Sequence, residues 1–253
     1  MAMTLQGQRA LVTGGGRGIG RAIAAALTQA GAKVSILGRD EATLKEAVAN
    51  GAAADWAACD VRDEASVSAA LDRLSRQHAF DIAIANAGAV ETGPFMRSDS
   101  ERFRRMLDIN LIGTVNLFHA TLPAMLERRR GRLIAIASTA GHRGYPYVSA
   151  YTAAKHAVVG LVKSLALETA RSGVTVNAVC PGYADTDMAT AGIDNVAAKT
   201  SKSREEALAS MIKDNPQGRL IAPEEVAAAV LYLCGPGSDS VTGQSLLVNG
   251  GEF

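Results

Sequence analysis

A tyrosine and a lysine four residues apart, Tyr151 and Lys155, are the residues of this sequence best suited to chemistry. On a helix, positions i and i+4 share a face, so the lysine ammonium can lie beside the tyrosine phenol. A unit charge roughly 4 Å away at an effective dielectric of ~20 is worth about 4 kcal/mol, or about three pKa units, and desolvation offsets part of this. Together with Ser138 upstream, the pair predicts an acid/base for proton transfer coupled to hydride transfer. Taken alone, the same spacing also fits a packed ring beside a solvated amine.

Short apolar runs alternate along the chain with longer helical patterns, and these elements must position the pair. The predicted strands are 9–13, 33–37, 55–59, 81–85, 132–137, 175–180 and 245–248, and the predicted helices are 18–30, 41–49, 63–77, 99–129, 148–172, 187–213 and 223–234. Such alternation implies right-handed crossovers and a parallel sheet covered on both faces. The sequence therefore predicts an α/β fold, one doubly wound Rossmann-type domain over 1–253, with its ligand crevice beyond the carboxyl ends of the seven strands.

A glycine-rich loop, residues 13–20, joins the first predicted strand to the first predicted helix. Glycines permit positive φ and close approach of the backbone to a pyrophosphate, and the helix N-terminus supplies N–H groups and partial positive charge. The spacing of Gly14, Gly18 and Gly20 departs from the strict G-x-G-x-x-G fingerprint. Because the loop follows the first strand of a βαβ unit, it predicts dinucleotide binding.

The choice of dinucleotide depends on the end of the second strand. An acidic residue there would bond a ribose 2′-hydroxyl, whereas an arginine accommodates a 2′-phosphate. Arg39 stands at this position, and Arg17 in the glycine loop could add a second cation. These residues predict NADPH as the preferred cofactor, with NAD possible. The alternative is that both arginines are solvated, with Asp40 or Glu41 as surface partners.

With these residues in view, the sequence resembles the tyrosine-dependent short-chain dehydrogenase/reductase family over nearly its whole length. The matching segments, in the family's order, are the loop 13–20, Asp60-Val61, Asn86-Ala87-Gly88, Asn110, Ser138, Tyr151-x-x-x-Lys155, Pro181-Gly182 and Thr186. The resemblance implies that Tyr151 donates the proton in reduction and that Ser138 holds the carbonyl oxygen. It implies that Lys155 bonds the nicotinamide ribose and lowers the tyrosine pKa, and that Asn110 helps to hold a relay water.

The resemblance also implies a cofactor-binding set. Asp60 would accept from the adenine amino group with Val61 alongside, and 86–88 would pass behind the adenosine ribose. The whole implied set is Gly14, Arg17, Gly18, Ile19, Gly20, Arg39, Asp60, Val61, Asn86, Ala87, Gly88, Tyr151, Lys155, Pro181, Gly182 and Thr186, of which the last three would position the nicotinamide carboxamide. Each has a simpler alternative, such as an N-cap at Asp60, a turn former at Asn86 or a mid-helix polar residue at Asn110.

The substrate is less well marked. The segment 183–219, with Met188 and Met211, predicts a helical lid with a soft apolar wall, although methionines also serve as plain core. The sequence looks most like β-ketoacyl-thioester reductases and aromatic polyketide ketoreductases. A second resemblance is to 3-hydroxybutyrate dehydrogenase, but Val90 and Ala140 stand where that enzyme holds the substrate carboxylate. We therefore expect an acyl thioester or a neutral ketone. An alternative of another class is a non-catalytic nucleotide-binding sensor on the same fold.

Composition limits the remaining functions. The 253 residues carry a net charge of +1, which gives no electrostatic case for nucleic acid or an anionic membrane. The first residues lack a signal-peptide pattern, which favours a cytoplasmic location. Cys59, Cys180 and Cys234 predict buried free thiols, and four scattered histidines offer no metal-ligand spacing, so no metal is expected. The family resemblance implies a homotetramer.

Overall fold

A seven-stranded parallel sheet forms the centre of the computed structural model, which describes residues 4–75 and 79–253. Its strands are β1 Arg9–Thr13, β2 Lys33–Gly38, β3 Asp55–Ala58, β4 Ile82–Ala85, β5 Gly131–Ile136, β6 Val174–Pro181 and β7 Ser245–Val248. They lie in the order β3-β2-β1-β4-β5-β6-β7. The chain direction of the crossovers reverses between β1 and β4, where a doubly wound sheet opens its ligand crevice. The predicted fold class is confirmed, with each strand end within one residue of its prediction.

Helices cover both faces of this sheet. They are α1 Gly18–Gln29, α2 Glu41–Ala49, α3 Glu64–Leu74, α4 Ser100–Leu107, α5 Gly113–Glu127, α6 Ser149–Thr169, α7 Asp187–Lys199, α8 Arg204–Ile212 and α9 Pro223–Cys234. Residues 76 and 77 of the predicted third helix lie outside the described residues.

Alternate side chains of the central strands form two separate cores. Val12 and Ile36 pack with α1 and α9 on one face, while Leu11 and Leu37 pack with α3, α5 and α6 on the other. All four are fully buried, and each such side chain contributes roughly 1.5 to 3 kcal/mol relative to leaving it in water. The strand ends that carry the polar residues therefore project from a rigid base.

The predicted helix 99–129 is in three parts, because a wide π turn, Asp108–Ile112, separates α4 from α5. Asn110 lies in this turn, and its Nδ2 donates to the carbonyl oxygen of Met106, four residues earlier, at 2.9 Å. A side-chain amide competes in this way with the backbone N–H groups for helical carbonyls. Single π turns inside helices often mark functional sites, and this one directs the Asn110 side chain inward.

Among the described residues, the run Ser100–Glu127 is long and apolar enough to cross a membrane by length and composition alone. Its residues Leu117, Phe118 and Met125 are buried against the sheet. Packing in the core therefore accounts for the apolar character of this run.

The predicted helix 187–213 is two helices, α7 and α8, separated by extended backbone at Thr200. Ser203 begins α8 with a capping box. Its Oγ accepts from the Glu206 backbone N–H at 3.2 Å, and the Glu206 carboxylate accepts from the Ser203 N–H at 2.8 Å. The S-x-x-E pattern is a helix-start signal that our prediction of one helix did not use.

Both ends of the predicted lid are fastened to each other. Ala184 and Ile221 form an isolated bridge, with the Ile221 N–H donating to the Tyr183 carbonyl oxygen at 2.8 Å and the Asp185 N–H to that of Ile221 at 2.9 Å. We call residues 183–221 the lid excursion. It leaves the sheet after β6 and carries α7 and α8, and α7 reaches Thr92 after β4, whose hydroxyl accepts from the Asn195 amide at 3.0 Å.

Candidate active site

The ends of β1 and β4 are joined at the point where the crossovers reverse. The Thr13 hydroxyl accepts from the backbone N–H groups of Asn86 and Ala87, both at 3.0 Å. The Asn86 amide donates in return to the Thr13 carbonyl oxygen at 2.9 Å and to that of Gly14 at 3.3 Å. Asn86 is therefore more than a turn former, because it fixes the floor of the crevice beside the glycine loop.

The glycine loop forms a cradle that only glycines allow. Gly14 and Gly18 have φ of +65° and +51°, and a Cβ on Gly20 would lie 2.2 Å from the Gly14 carbonyl oxygen. The N-cap of α1, Arg17, makes no side-chain capping bond, and the first turn, which includes Ile19, carries no acidic residue. A helix N-terminus with free N–H groups beside a tight backbone turn fits the diphosphate of a dinucleotide.

The two arginines of the cofactor side differ in their surroundings. Arg39 is exposed after β2, and within residues 4–75 and 79–253 no ion pair involves it. Arg17 lies 3.7 Å from Asp187 in the first turn of α7, with both side chains mostly in water. Arg39 is therefore the freer of the two for a 2′-phosphate.

Asp60 is held by a neighbouring arginine. Arg62 donates its Nε to the carboxylate at 3.0 Å, and the hydrogen bonds from Arg62 lower the pKa of Asp60. The alternative of an N-cap at Asp60 is wrong, since Asp63 caps α3 by accepting from the Ala65 N–H at 3.0 Å. Next to Asp60, buried Val61 is fixed through its carbonyl oxygen, which accepts from the Asn116 amide at 2.8 Å.

Ser138, Tyr151 and Lys155 meet where β5 ends and α6 begins. The Ser138 hydroxyl lies close enough to the Tyr151 phenol to lower its pKa in part, and it accepts from the Ala140 N–H at 3.1 Å. Lys155 is 5% exposed, lies with Nζ 5.6 Å from the centre of the Tyr151 ring, and donates to the Ile136 carbonyl oxygen at 2.8 Å. The three predicted catalytic side chains are thus adjacent.

The acidities of this group differ from the expectation. Burial raises the pKa of Tyr151 to about 12, and the hydrogen bond with Ser138 lowers it only in part. Burial also lowers the pKa of Lys155 to about 8. Lys155 Nζ donates to a backbone carbonyl, and desolvation outweighs every effect that lowers the pKa of Tyr151. With the protein's own groups, Tyr151 is a protonated donor at neutral pH.

Asn110 reaches the same place from the π turn. Its Nδ2 donates to the Ala89 carbonyl oxygen at 3.0 Å, while its buried Oδ1 has no partner among the described residues. A Cβ on Gly88 would lie 2.7 Å from that Oδ1 and 3.7 Å from the Nζ of Lys155. Gly88 therefore keeps open the space that Asn110 and Lys155 share.

The loop after β6 connects the cofactor side to the lid excursion. Pro181 ends β6, and the Gly182 N–H donates to the Val248 carbonyl oxygen at 3.0 Å. Thr186 begins α7, and its Cγ2 would lie 3.2 Å from a Cβ on Gly18. Of the three predicted nicotinamide-positioning residues, Thr186 therefore faces the glycine loop, and Gly182 is held against β7.

Cys180 was not predicted to lie at the site. All three cysteines are buried and free, as the sequence predicts. The Cys180 sulfur lies 3.5 Å from the Nε2 of His142, and burial raises the pKa of the thiol to about 11. A protonated, buried thiol of this kind is a packing group, not a nucleophile.

A second set of side chains on the substrate side also lacked a sequence signal. Glu252, from the segment after β7, accepts from the Tyr145 hydroxyl at 2.5 Å, and Arg143 lies 3.5 Å from the same carboxylate. Tyr145 and Glu252 are 107 positions apart. No local pattern could have predicted their contact.

Four large apolar side chains are exposed on the segments that follow β4 and β5 and in the first turn of α7. They are Phe95, Met96, Tyr147 and Met188. Tyr147 has φ of +67°, a strained conformation for a non-glycine residue, and its carbonyl oxygen accepts from the Gly93 N–H at 2.7 Å. Met211 instead packs against α7, with its Cε 3.4 Å from a Cβ on Gly192. Of the two lid methionines, Met188 is exposed and Met211 is partly buried.

Comparison with known proteins gives consistent matches over the whole chain. Residues 14–252 match a family model described as enoyl-(acyl carrier protein) reductase. The chain is 40% identical to a putative ketoacyl reductase of Streptomyces coelicolor, covering 98% of both chains. It is 36% identical to the 3-oxoacyl-[acyl-carrier-protein] reductase FabG of Escherichia coli, covering 99% of both.

A solved structure of a tryptophan variant of actinorhodin polyketide ketoreductase with NADPH superposes with a TM-score of 0.89. It is 40% identical, and the match covers 100% of this chain and 99% of that one. The parallel sheet, the glycine cradle and the serine, tyrosine and lysine at the ends of β5 and α6 agree with these matches. The chain is an oxidoreductase that belongs to the short-chain dehydrogenase/reductase family.

Proposed function

We propose that the protein is an NADPH-dependent reductase that converts the ketone of a 3-oxoacyl thioester, or a related neutral ketone, into a secondary alcohol. The observation that carries this proposal is that the Ser138 and Tyr151 hydroxyls lie close enough for Ser138 to act on the tyrosine pKa, with Lys155 buried beside the tyrosine ring. Two hydroxyls that converge on one carbonyl oxygen stabilise the negative charge that develops there during reduction.

The raised pKa of the Tyr151 phenol suits a reductase, which needs a proton donor. A bound nicotinamide would supply the hydride to the carbonyl carbon. Burial keeps Tyr151 protonated at neutral pH, so its hydroxyl is ready to transfer a proton to the oxyanion. The unpartnered Oδ1 of Asn110, next to Lys155, is placed to hold a water that returns a proton to the tyrosine.

NADPH is the cofactor that the surroundings of β2 favour. Arg39 is exposed there and forms no ion pair within the described residues, and its contact with a 2′-phosphate would be strong because both partners are charged. The actinorhodin ketoreductase that superposes on this chain was solved with NADPH. The cradle formed by Gly14 and Gly20, with the uncapped N-terminus of α1, would hold the diphosphate.

The substrate side supports a neutral group next to the ketone. Arg143 is the cation of the loop 139–148, and it is shared between the carboxylates of Asp214 and Glu252. Val90 and buried Ala140 offer no polar anchor for a free acid. Relatives named as ketoacyl reductases in two organisms support reduction of an acyl ketone. A 3-hydroxybutyrate-type activity is therefore not favoured.

A non-catalytic sensor would have no use for the proton-transfer group. The adjacency of Asn110, Ser138, Tyr151 and Lys155 favours an enzyme, because a pure nucleotide binder needs none of their proton transfer.

The test is a spectrophotometric panel with purified protein. NADPH and NADH are each offered with acetoacetyl-CoA, longer 3-oxoacyl thioesters, cyclic ketones and acetoacetate. Thioesters or neutral ketones are expected to turn over fastest, with NADPH. Faster turnover of acetoacetate would reverse the substrate assignment. Tyr151→Phe is expected to lower kcat by roughly 10² to 10⁴ while NADPH still raises the melting temperature. A Tyr151→Phe protein with full activity would rule out the proposed mechanism.

We further propose a homotetramer and a cytoplasmic location. Leu167 on α6 is 81% exposed, and Tyr232 on α9 and Leu246 on β7 are also exposed. These apolar side chains lie on the surfaces through which the family resemblance implies assembly. Sedimentation velocity of the wild type and of Leu167→Lys tests the first surface. An unchanged tetramer in the variant would place the contact elsewhere.

A further inference from the structure

The segment that follows β7 folds back onto the substrate side of the crevice. Gly250 and Gly251 have φ of +65° and +86°, a conformation that favours glycine. The reversal brings Glu252 to the end of β6, where its Oε2 lies 3.6 Å from the position of a Cβ on Gly182. Gly182 is one of the residues that would hold the nicotinamide, so Glu252 lies next to the proposed nicotinamide site.

The Glu252 carboxylate is buried and fully partnered. Its side chain is 5% exposed, and burying a charge is costly unless it is paired and hydrogen-bonded. Tyr145 donates to it at 2.5 Å, and Arg143 lies 3.5 Å away. Arg143 also forms an ion pair with Asp214 at 3.3 Å. Two carboxylates therefore share this one arginine, which leaves no spare positive charge for an anionic substrate.

Tyr145 lies between this carboxylate and the segment that follows Ser138. Its phenol is close enough to Thr139, the residue after Ser138, for that side chain to offset part of the rise in its pKa, and its ring meets that of Tyr183 edge-on at 6.3 Å between centres. Burial, and then the hydrogen bond to Glu252, raise the pKa of Tyr145. The phenol therefore stays protonated and remains a donor to Glu252.

We propose that Glu252 determines specificity, excluding ketones that carry a nearby carboxylate and holding Tyr145 in place beside the carbonyl site. This inference rests on the proposed ketoreductase function and names the class of substrate it selects. A fixed negative charge repels a free keto acid but is indifferent to an ester or thioester of the same acid. Repulsion of the wrong substrate is a common means of specificity.

Glu252→Gln tests the proposal, because it keeps the size of the side chain and an acceptor for Tyr145 but removes the charge. The kcat/KM with saturating NADPH is measured for acetoacetate and for its neutral ethyl ester. The ratio of acid to ester is expected to rise roughly tenfold, mainly through a lower KM for the acid. Glu224→Gln, at an exposed glutamate in the first turn of α9, is the matched control and should leave the ratio unchanged.

An unchanged ratio in a Glu252→Gln protein that melts like the wild type would overturn the proposal. If that variant fails to fold, Tyr145→Phe examines the same contact from the other side. It keeps the carboxylate charge, so the KM for the ester should rise while the ratio of acid to ester does not. A ratio that rises in Tyr145→Phe would mean that a loosened pocket, and not charge, sets the selectivity.

Failure of the proposed function gives a different result. In that case the wild type reduces no ketone although NADPH still raises its melting temperature. Binding of acetoacetate and its ethyl ester to the NADPH-loaded wild type and Glu252→Gln, measured by calorimetry, then tests the charge effect alone. If acetoacetate and its ethyl ester both bind the wild type more weakly than Glu252→Gln by the same factor, the proposed charge effect is contradicted.

Discussion

The cofactor side of the crevice, around residues 13–20, is built from backbone, whereas the substrate side, around 139–147 and the lid excursion, is built from side chains that come from distant parts of the chain. On the first side, a Cβ on Gly20 would lie 2.2 Å from a carbonyl oxygen. On the second, Tyr145 and Glu252 meet across 107 positions. A backbone cradle admits few substitutions, while side-chain contacts can be exchanged one at a time. The comparison indicates that cofactor binding depends on positions that tolerate little change and that substrate choice depends on positions that tolerate more.

Lys155 lies between the two sides, and its predicted effect is the largest on stability. Its pKa is about 8 in the folded protein, against an ordinary value of 10.5. Below pH 8 the lysine is charged in both states. Between pH 8 and 10.5 the unfolded chain binds more protons at Lys155, so this lysine should contribute a rise of about 2 kcal/mol in the free energy of unfolding from pH 7.5 to 9.5. The buried thiols of Cys180 and Cys234, with pKa values raised to about 11 and about 12, oppose this rise from about pH 9, and Tyr151, with a pKa raised to about 12, opposes it above pH 10. The contribution of Lys155 is therefore the difference in pH dependence between the wild type and Lys155→Met.

Urea unfolding at pH 7.5 and 9.5 measures this rise. Lys155→Met should abolish it, whereas Lys163→Met, at an exposed lysine of the same helix, should retain it. The same pH dependence in the wild type and in Lys155→Met would show that the lysine is not responsible.

Gly20→Ala should affect the cofactor side most. The added methyl would meet the Gly14 carbonyl oxygen and the Asn86 amide, so the turn must move. Overpacking of this kind costs about 1 to 3 kcal/mol, and the rise in melting temperature with NADPH should disappear. Gly160→Ala is the control, because nothing lies within 4 Å of the new methyl and helical propensity should stabilise the protein by about 0.5 to 1 kcal/mol. Normal NADPH binding by Gly20→Ala would contradict a backbone cradle.

Arg39→Asp and Arg17→Ala compare the two cations of the cofactor side. Losing a charge-assisted hydrogen bond costs about 1.5 to 3 kcal/mol, so Arg39→Asp should weaken NADPH binding roughly 10- to 100-fold and leave NADH binding largely intact. Arg17→Ala should have a smaller effect, because Arg17 already lies near Asp187. Fluorescence titration of each variant with NADPH and with NADH gives the dissociation constants that test this. Equal losses for the two cofactors would exclude a 2′-phosphate contact at Arg39.

The smallest expected effects come from substitutions of two helix caps, one on the substrate side and one on the cofactor side. Ser203 caps α8 in the lid excursion and Asp40 caps α2 on the cofactor side, and both helices have nine residues. Each cap-to-alanine change should cost about 1 kcal/mol. Ser203→Ala should raise the KM for the ketone and leave that for NADPH unchanged, while Asp40→Ala, next to Arg39, should do the reverse. Steady-state kinetics with each ligand varied in turn measures both KM values. A variant in which both KM values rise would contradict the separation of the cofactor side from the substrate side.

Much of the cofactor side was predictable from sequence for a physical reason. A buried parallel strand is a short apolar run, and a tight turn against a phosphate needs glycines at fixed places, so both features are local. Ser138, Tyr151 and Lys155 were predictable because β5 and α6 bring them together by ordinary geometry. The three buried thiols followed from their apolar neighbours.

The rest depended on contacts that a local pattern does not contain. The π turn at Asn110 is a choice among hydrogen-bond partners within an otherwise continuous helical pattern. The raised pKa of Tyr151 depends on burial by the whole fold, which the spacing of two residues does not reveal. The sequence does contain a capping-box pattern at Ser203. The helical periodicity on either side of it nevertheless favoured one continuous helix.

The pairing of Ala184 with Ile221 makes the chain enter and leave the lid through one narrow neck. Changes in the residues between Ala184 and Ile221 should therefore leave the sheet unaltered. The entropic cost of closing such a loop grows only with the logarithm of its length. Relatives could lengthen, shorten or replace this stretch without disturbing hydride chemistry below it. Exchange of the segment between Ala184 and Ile221 with that of a relative would be a direct way to transfer substrate specificity between members of the family.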